Sequence, residues 1–148
     1  MKKLFPLILI LLLIFFSACK EDEIFDEPEI LLNKWANAAQ HFNYSDYASV
    51  EAYPKSRQVF SETFSGFYPS EIMVVDVDDH DKNSIYTDHK GDRYYKRNVE
   101  FMFTQINRKD SRPGGRVIGD VDFVKYIDGD KNNRGWLMLN RTMIRVFE

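Results

Sequence analysis

The apolar residues change their spacing once along the chain, near Ser70, and that change limits the fold more than any single motif does. Upstream, Leu31, Trp35, Ala38 and Phe42 recur at i, i+4, i+7 and i+11, which is one face of a helix. Downstream, Val99, Phe101 and Phe103 alternate with Asn98, Glu100 and Met102, the period of a strand with one buried side. Helices first and strands after is an α+β order. No repeat or break in composition divides residues 26–148, so they form one expected domain.

Local signals divide the helical half. Asp26 and Glu29 have capping-box spacing with Pro28 in the first turn, which predicts a helix ending near Asn43. Ser45 can cap a second helix reaching Tyr53, where Pro54 disfavours continuation. A third helix is expected from Lys55 to Ser65, with Val59, Phe60 and Phe64 on its apolar side and Gly66 at its end. In the strand half, Glu71–Val77, Asp92–Lys109, Arg116–Ile127 and Arg134–Phe147 read as four strands. Ser111–Gly115 and Asp128–Asn133 read as turns on composition.

The N-terminus has a different character. Met1-Lys2-Lys3 is basic, Leu4 to Phe16 is apolar apart from Pro6, and Ser17-Ala18 precedes the only cysteine, Cys19. These are the parts of a secretory signal, and the apolar run is short for a membrane span, which needs about 20 residues. Phe15-Phe16-Ser17-Ala18-Cys19 resembles a bacterial lipobox, with Phe16 where leucine is usual. That resemblance implies a signal peptide over 1–18, acylation of Cys19 (the palmitate-type anchor of lipoproteins) and an acidic tether over 19–25. Lys20 followed by Glu21, Asp22 and Glu23 is similar to the export signal of outer-membrane lipoproteins, some of them surface-exposed.

Cleavage before Cys19 would remove Lys2 and Lys3 from a chain with 20 basic and 23 acidic residues, taking the net charge from −3 to about −5. That charge argues against a nucleic-acid partner, which would call for a basic face. With Cys19 acylated, no thiol remains for a disulfide, a metal or catalysis. The domain must hold together by packing alone.

Helices followed by four hairpin-linked strands look like the NTF2-like family, as does Asn43-Tyr44-Ser45-Asp46-Tyr47-Ala48, which is similar to a short segment common there. The resemblance covers residues 26–148. It implies helices packed on a curved, mainly antiparallel four-stranded sheet, an NTF2-like cone, with a cystatin-like fold as the alternative. It also implies a pocket at the cone mouth and pairing through the outer sheet face.

Candidate chemistry is sparse. Asp76, Asp78, Asp79, His80, Asp81, Asp88 and His89 are metal-ligand types, but Ser84 and Lys90 stand where a calcium loop needs glycine and glutamate. Asp, Asn and Gly dominate turns for backbone reasons, and polar hairpin loops are the plainer expectation. No phosphate loop, nucleophile elbow or zinc-binding motif is present, so no catalytic residue, metal or cofactor is assigned. Trp35, Tyr47, Phe60 and Phe64 are the candidate pocket, with core packing as the competing role. Strict alternation would place Leu137, Leu139, Arg141, Met143 and Arg145 on one side of the last strand. Beside Glu100, Asp120 and Asp122 they form a candidate interface on the outer sheet face, with cross-strand ion pairs. The function expected is a membrane-anchored envelope lipoprotein acting as a non-enzymatic binding module, with a homodimer or envelope protein as partner. An NTF2-like enzyme or small-ligand carrier, and an envelope immunity or assembly factor, are the alternatives.

Overall fold

A computed structural model describes residues 28–146 apart from Lys82. The proposed signal, Cys19 and the tether lie outside the described residues. Three helices come first: α1 (Pro28–His41), α2 (Tyr44–Val50) and α3 (Arg57–Thr63). Five strands follow: β1 (Phe67–Asp78), β2 (Ile85–Thr87), β3 (Arg93–Asn107), β4 (Pro113–Tyr126) and β5 (Trp136–Val146). The sheet runs β1-β3-β4-β5, every strand pair is antiparallel, and β2 also pairs with β3. Ile85–Thr87 pairs with β3 beyond the point where Asp78 meets Asn98. β2 therefore continues the lane of β1, and the five strands occupy the four lanes expected from the sequence.

The core lies between the helices and one sheet face. Leu31, Leu32, Trp35, Ala38 and Ala39 of α1 bury against Val99, Phe101 and Phe103 of β3 and Val117, Val121 and Phe123 of β4. Burying one such large apolar side chain stabilises the fold by about 1.5–3 kcal/mol. Gly119 belongs to the same row, and a Cβ there would come within 2.8 Å of both the Phe101 ring and the Thr142 carbonyl. The glycine lets that ring lie flat over the strand.

Helix ends depart from the expected ones for identifiable reasons. α1 stops at His41 because Phe42 turns to φ 53°, and Phe42 is left exposed rather than on the core face. Asn43, not Ser45, caps α2 by accepting from the Asp46 backbone N–H at 3.2 Å. Ser56 caps α3, with Val59 N–H donating to its hydroxyl at 3.3 Å. α2 ends at Val50 because the chain joins the sheet. Glu51 is extended and bridges Met138, and Ala52 N–H donates to the Met138 carbonyl at 2.9 Å.

Two arginines from the strand turns close the helices. Arg134 donates to the Ala48 carbonyl at 2.9 Å, at the end of α2. Arg108 donates through Nε to the Phe64 carbonyl at 2.7 Å, through Nη1 to the Gln40 carbonyl at 2.9 Å, and through Nη2 to the Ala39 carbonyl. Its guanidinium also lies 4.0 Å from the centroid of the Phe42 ring. One side chain thus ties α1, the end of α3 and the β3–β4 turn. Arg108→Ala is expected to destabilise the domain by about 1.5–3 kcal/mol, the range for hydrogen bonds with a charged partner. Urea unfolding checks this, and an unchanged midpoint would show that the clamp contributes nothing.

The last strand corrects the face assignment. Val121 pairs with Arg141 but Asp122 pairs with Leu139, so Asn140 is an extra residue at a β-bulge, with φ 48°. A bulge reverses which residues face the core. Before it, Leu137 and Leu139 lie on the outer face with Val124 and Asp122. After it, Arg141, Met143 and Arg145 lie on the helix side, opposite Val121, Gly119 and Val117. The predicted row of Leu137, Leu139, Arg141, Met143 and Arg145 is therefore split between two faces.

The expected ion pairs from Glu100, Asp120 and Asp122 to Arg141 and Arg145 do not form for that reason. Glu100 sits between Asp76 and Asp120 in an acidic row on the outer face. Asp122 instead accepts from Asn98 Nδ2 at 3.2 Å and has Lys96 Nζ at 3.8 Å.

Candidate functional site

A cleft of about 600 Å³ opens where α2 and α3 meet the edge of β5. Three features of the chain build it. The early end of α2 swings Glu51 onto the sheet edge, the bulge at Asn140 turns Arg141 inward, and α3 lays Phe60 and Phe64 across the gap. Tyr47, Phe60, Phe64, Met138, Leu139 and Met143 supply its apolar lining, and Glu51, Lys55 and Arg141 its charges.

The aromatic wall is closely packed. Tyr47 stacks on Phe60 with centroids 4.6 Å apart, and Phe60 meets Phe64 edge-on at 5.4 Å. Beneath them Arg141 lies over the Trp35 ring, 4.5 Å from its centroid, and donates through Nη2 to Glu51 Oε1 at 2.8 Å. Both charged side chains are largely buried, at 14% and 11% exposure. Burial pushes the Glu51 carboxyl up, against the opposing pull of the Arg141 charge. Burial, then the Glu51 charge, pushes the Tyr47 phenol up. Its oxygen also accepts from the Lys55 backbone N–H at 3.2 Å.

A buried polar cluster closes the far end of the cleft. Asp88 Oδ1 accepts from the backbone N–H groups of Lys90 at 2.8 Å and Asp92 at 3.1 Å. Asp88 Oδ2 accepts from the hydroxyl of Tyr53 and, at 3.1 Å, from that of Tyr126. Lys131 reaches in from the β4–β5 turn. Its ammonium donates to Tyr53 Oη at 3.1 Å, stands 3.9 Å from Asp88 and 3.8 Å from Asp92, and lies over the Tyr53 and Tyr126 rings. Burial would raise the Asp88 carboxyl, but the hydrogen bonds from Tyr53, Lys90, Asp92 and Tyr126 outweigh it and hold it well below the usual range. Under this cluster Ala52, Val124, Tyr126 and Leu137 form a second, smaller core on the outer side of the sheet.

Of the pocket candidates, Tyr47, Phe60 and Phe64 line the cleft. Trp35 does not line it and instead supports Arg141 from below. All four are buried in the main core, so the lining and packing roles coincide. Among the interface candidates, Leu137 is fully buried in the second core, Leu139 is half-buried, and Met143 is exposed at the cleft. Arg145 donates to the Gly114 carbonyl. Glu51 and Lys131 carry no signal in the sequence reading, and Asp88 enters it only as one of the metal-ligand types expected in polar hairpin loops. Pro54 beside Tyr53 marks a helix end without showing what Tyr53 packs on.

The acidic loop residues have local partners. Asp78 accepts from the His80 backbone N–H at 2.8 Å, and Asp79 takes two hydrogen bonds from Arg97, at 2.6 and 3.1 Å. Among the described residues no group of His, Cys, Asp and Glu is arranged to hold a metal, and no helix is long and apolar enough to cross a membrane.

These features define an α+β domain with three helices, a mainly antiparallel open sheet of five strands, and a cleft at the helix–sheet junction. No family model, curated protein or solved structure matches the chain.

Proposed function

We propose that this chain is a lipoprotein of the bacterial cell envelope, held in the outer membrane by acylated Cys19, whose domain is an NTF2-like binding module for a small ligand. The cleft carries the binding part of this reading. Its volume of about 600 Å³ lies within the range of small-molecule sites, and such sites combine an apolar lining with a few placed polar groups. Binding is favoured over catalysis because the buried acids at the cleft are engaged structurally, Glu51 with Arg141 and Asp88 with its hydrogen-bond donors. Helices on one face of an antiparallel sheet support the NTF2-like reading, and the signal-like N-terminus supports the lipoprotein reading.

A bound small molecule should be visible by native mass spectrometry of the protein isolated from its membrane, as a mass lost when Thr63→Trp fills the cleft. A ligand-free protein at every step of isolation would count against the module. Cys19→Ala should leave an unprocessed or unanchored chain. Detergent partitioning unchanged by that substitution would overturn the lipid anchor.

One further observation supports a protein partner or a homodimer as a second reading. Met73, Met102, Ile118 and Ile144 form a continuous apolar row across the outer face, beside the acidic row, and Ile144 is 71% exposed. Sedimentation of the wild-type protein and of Ile144→Glu tests self-association, and identical monomers would remove it.

A further inference from the structure

We infer that the cleft takes a small molecule with an apolar body and a carboxylate, the carboxylate seated on the guanidinium of Arg141. This deepens the ligand-binding reading above and rests on it. A guanidinium carries five N–H donors in a planar fork. Among the described residues, those of Arg141 meet only one oxygen, Glu51 Oε1 at 2.8 Å, and one thioether, Met138 Sδ at 3.5 Å from Nη1. The remaining donors are held in a largely buried position at the cleft. Donors without a protein partner that open onto the cleft can take an acceptor from a ligand, and the planar fork matches a carboxylate.

The orientation of the fork is fixed before any ligand enters. Trp35 lies under the guanidinium at 4.5 Å from its centroid, and Glu51 anchors one Nη. Little ordering is then needed on binding, which favours affinity. Around the seat Glu51 offsets Arg141 and Lys55 adds a positive group to the lining, while at the far end Asp88 and Asp92 face Lys131. Phe60, Phe64 and Met143 would cover the apolar body.

The test uses the full chain in lipid nanodiscs, with empty nanodiscs as the blank, titrated with 2-naphthoate and with 2-naphthalenemethanol, its neutral analogue of similar shape. Naphthoate is expected to bind about tenfold more tightly, as one charge-assisted hydrogen bond or more would give. Arg141→Gln should abolish that preference, but it also strands Glu51 and can impair folding. Glu51→Gln therefore carries the decision. It keeps Arg141 and removes the carboxylate competing for it, so naphthoate should bind several-fold more tightly and its preference over the alcohol should widen. A pair that serves folding alone predicts altered stability with unaltered naphthoate affinity.

Equal affinity for acid and alcohol in both wild type and Glu51→Gln, with both lost in Thr63→Trp, would overturn the carboxylate inference and leave the binding module standing. Absence of binding by either probe to either protein would overturn this inference. The native mass measurement would then decide the module separately.

Discussion

Replacing Asp88 with alanine is expected to lower the unfolding free energy by roughly 3–5 kcal/mol, the range for removing one partner of a buried charged pair. The carboxylate is 3% exposed and faces Lys131, which is itself only 10% exposed. Its loss leaves the ammonium beside two aromatic rings and Asp92 alone, and it strips an acceptor from Tyr53, Tyr126 and two backbone N–H groups. Asp88→Asn keeps the shape and isolates the charge. The Asp88 carboxyl is held below its ordinary value, so its stabilisation is fully present above the ordinary aspartate range, near about 3.9, and is lost as pH falls through the depressed value. Thermal unfolding followed against pH should therefore show a shallower acid limb for Asp88→Asn than for wild type. The limb should not vanish, because Asp78 and Asp128 are also lowered, by hydrogen bonds from His80 and Arg93 respectively. Parallel acid limbs, or a loss below about 1 kcal/mol in Asp88→Ala, would show that the Asp88 cluster does not stabilise the fold.

Asp88 also shows where sequence reading stops. Residues 76–92 hold six aspartates, with Asn83 and Gly91 among them, and composition alone makes such a stretch read as a solvated turn. Most of it behaves that way: Asp81, His80 and Lys90 are exposed. Asp88 differs because Tyr53, 35 residues earlier, and Tyr126, 38 residues later, converge on its Oδ2. A contact between residues so far apart leaves no trace in local spacing. Lys131 lies in another turn-like stretch and is hidden for the same reason.

The helix-to-strand order was legible because it depends on periodicity, which a single sequence carries in full. Leu31, Trp35 and Ala38 are buried as their spacing requires, and Val99, Phe101 and Phe103 are buried as theirs does. β2 was not legible, since three residues cannot establish a period. The faces of β5 were not legible either. One extra residue at Asn140 exchanges inside for outside, and nothing in the local sequence of Leu139, Asn140 and Arg141 announces a bulge. The cleft was half legible as a result. Its aromatic wall follows from helical spacing, but its charged floor depends on that bulge and on the chain leaving α2 at Glu51 to reach Met138. The NTF2-like resemblance supplied an expectation of a pocket without the residues that give it charge.

Trp35→Ala should be among the most damaging single truncations in the core, lowering stability by about 3–5 kcal/mol. The indole is fully buried and meets Phe64 at 5.8 Å, Phe101 at 6.3 Å and Phe103 at 5.9 Å, each edge-on, so its removal takes contacts from α3 and β3 together. It also removes the platform under Arg141. Trp35→Phe separates these effects. Among the described residues the Trp35 Nε1 has no hydrogen-bond partner, so a phenyl ring forfeits area but no hydrogen bond there, and it still offers Arg141 an aromatic face. The cost of Trp35→Phe should then be below half that of Trp35→Ala in urea unfolding, with naphthoate binding retained. Trp35→Ala, wherever it remains folded, should bind naphthoate less tightly, because its guanidinium is no longer held flat. Equal costs for the two substitutions would mean that shape alone governs this position. Unchanged naphthoate affinity in folded Trp35→Ala would mean that Glu51, rather than the indole, orients Arg141.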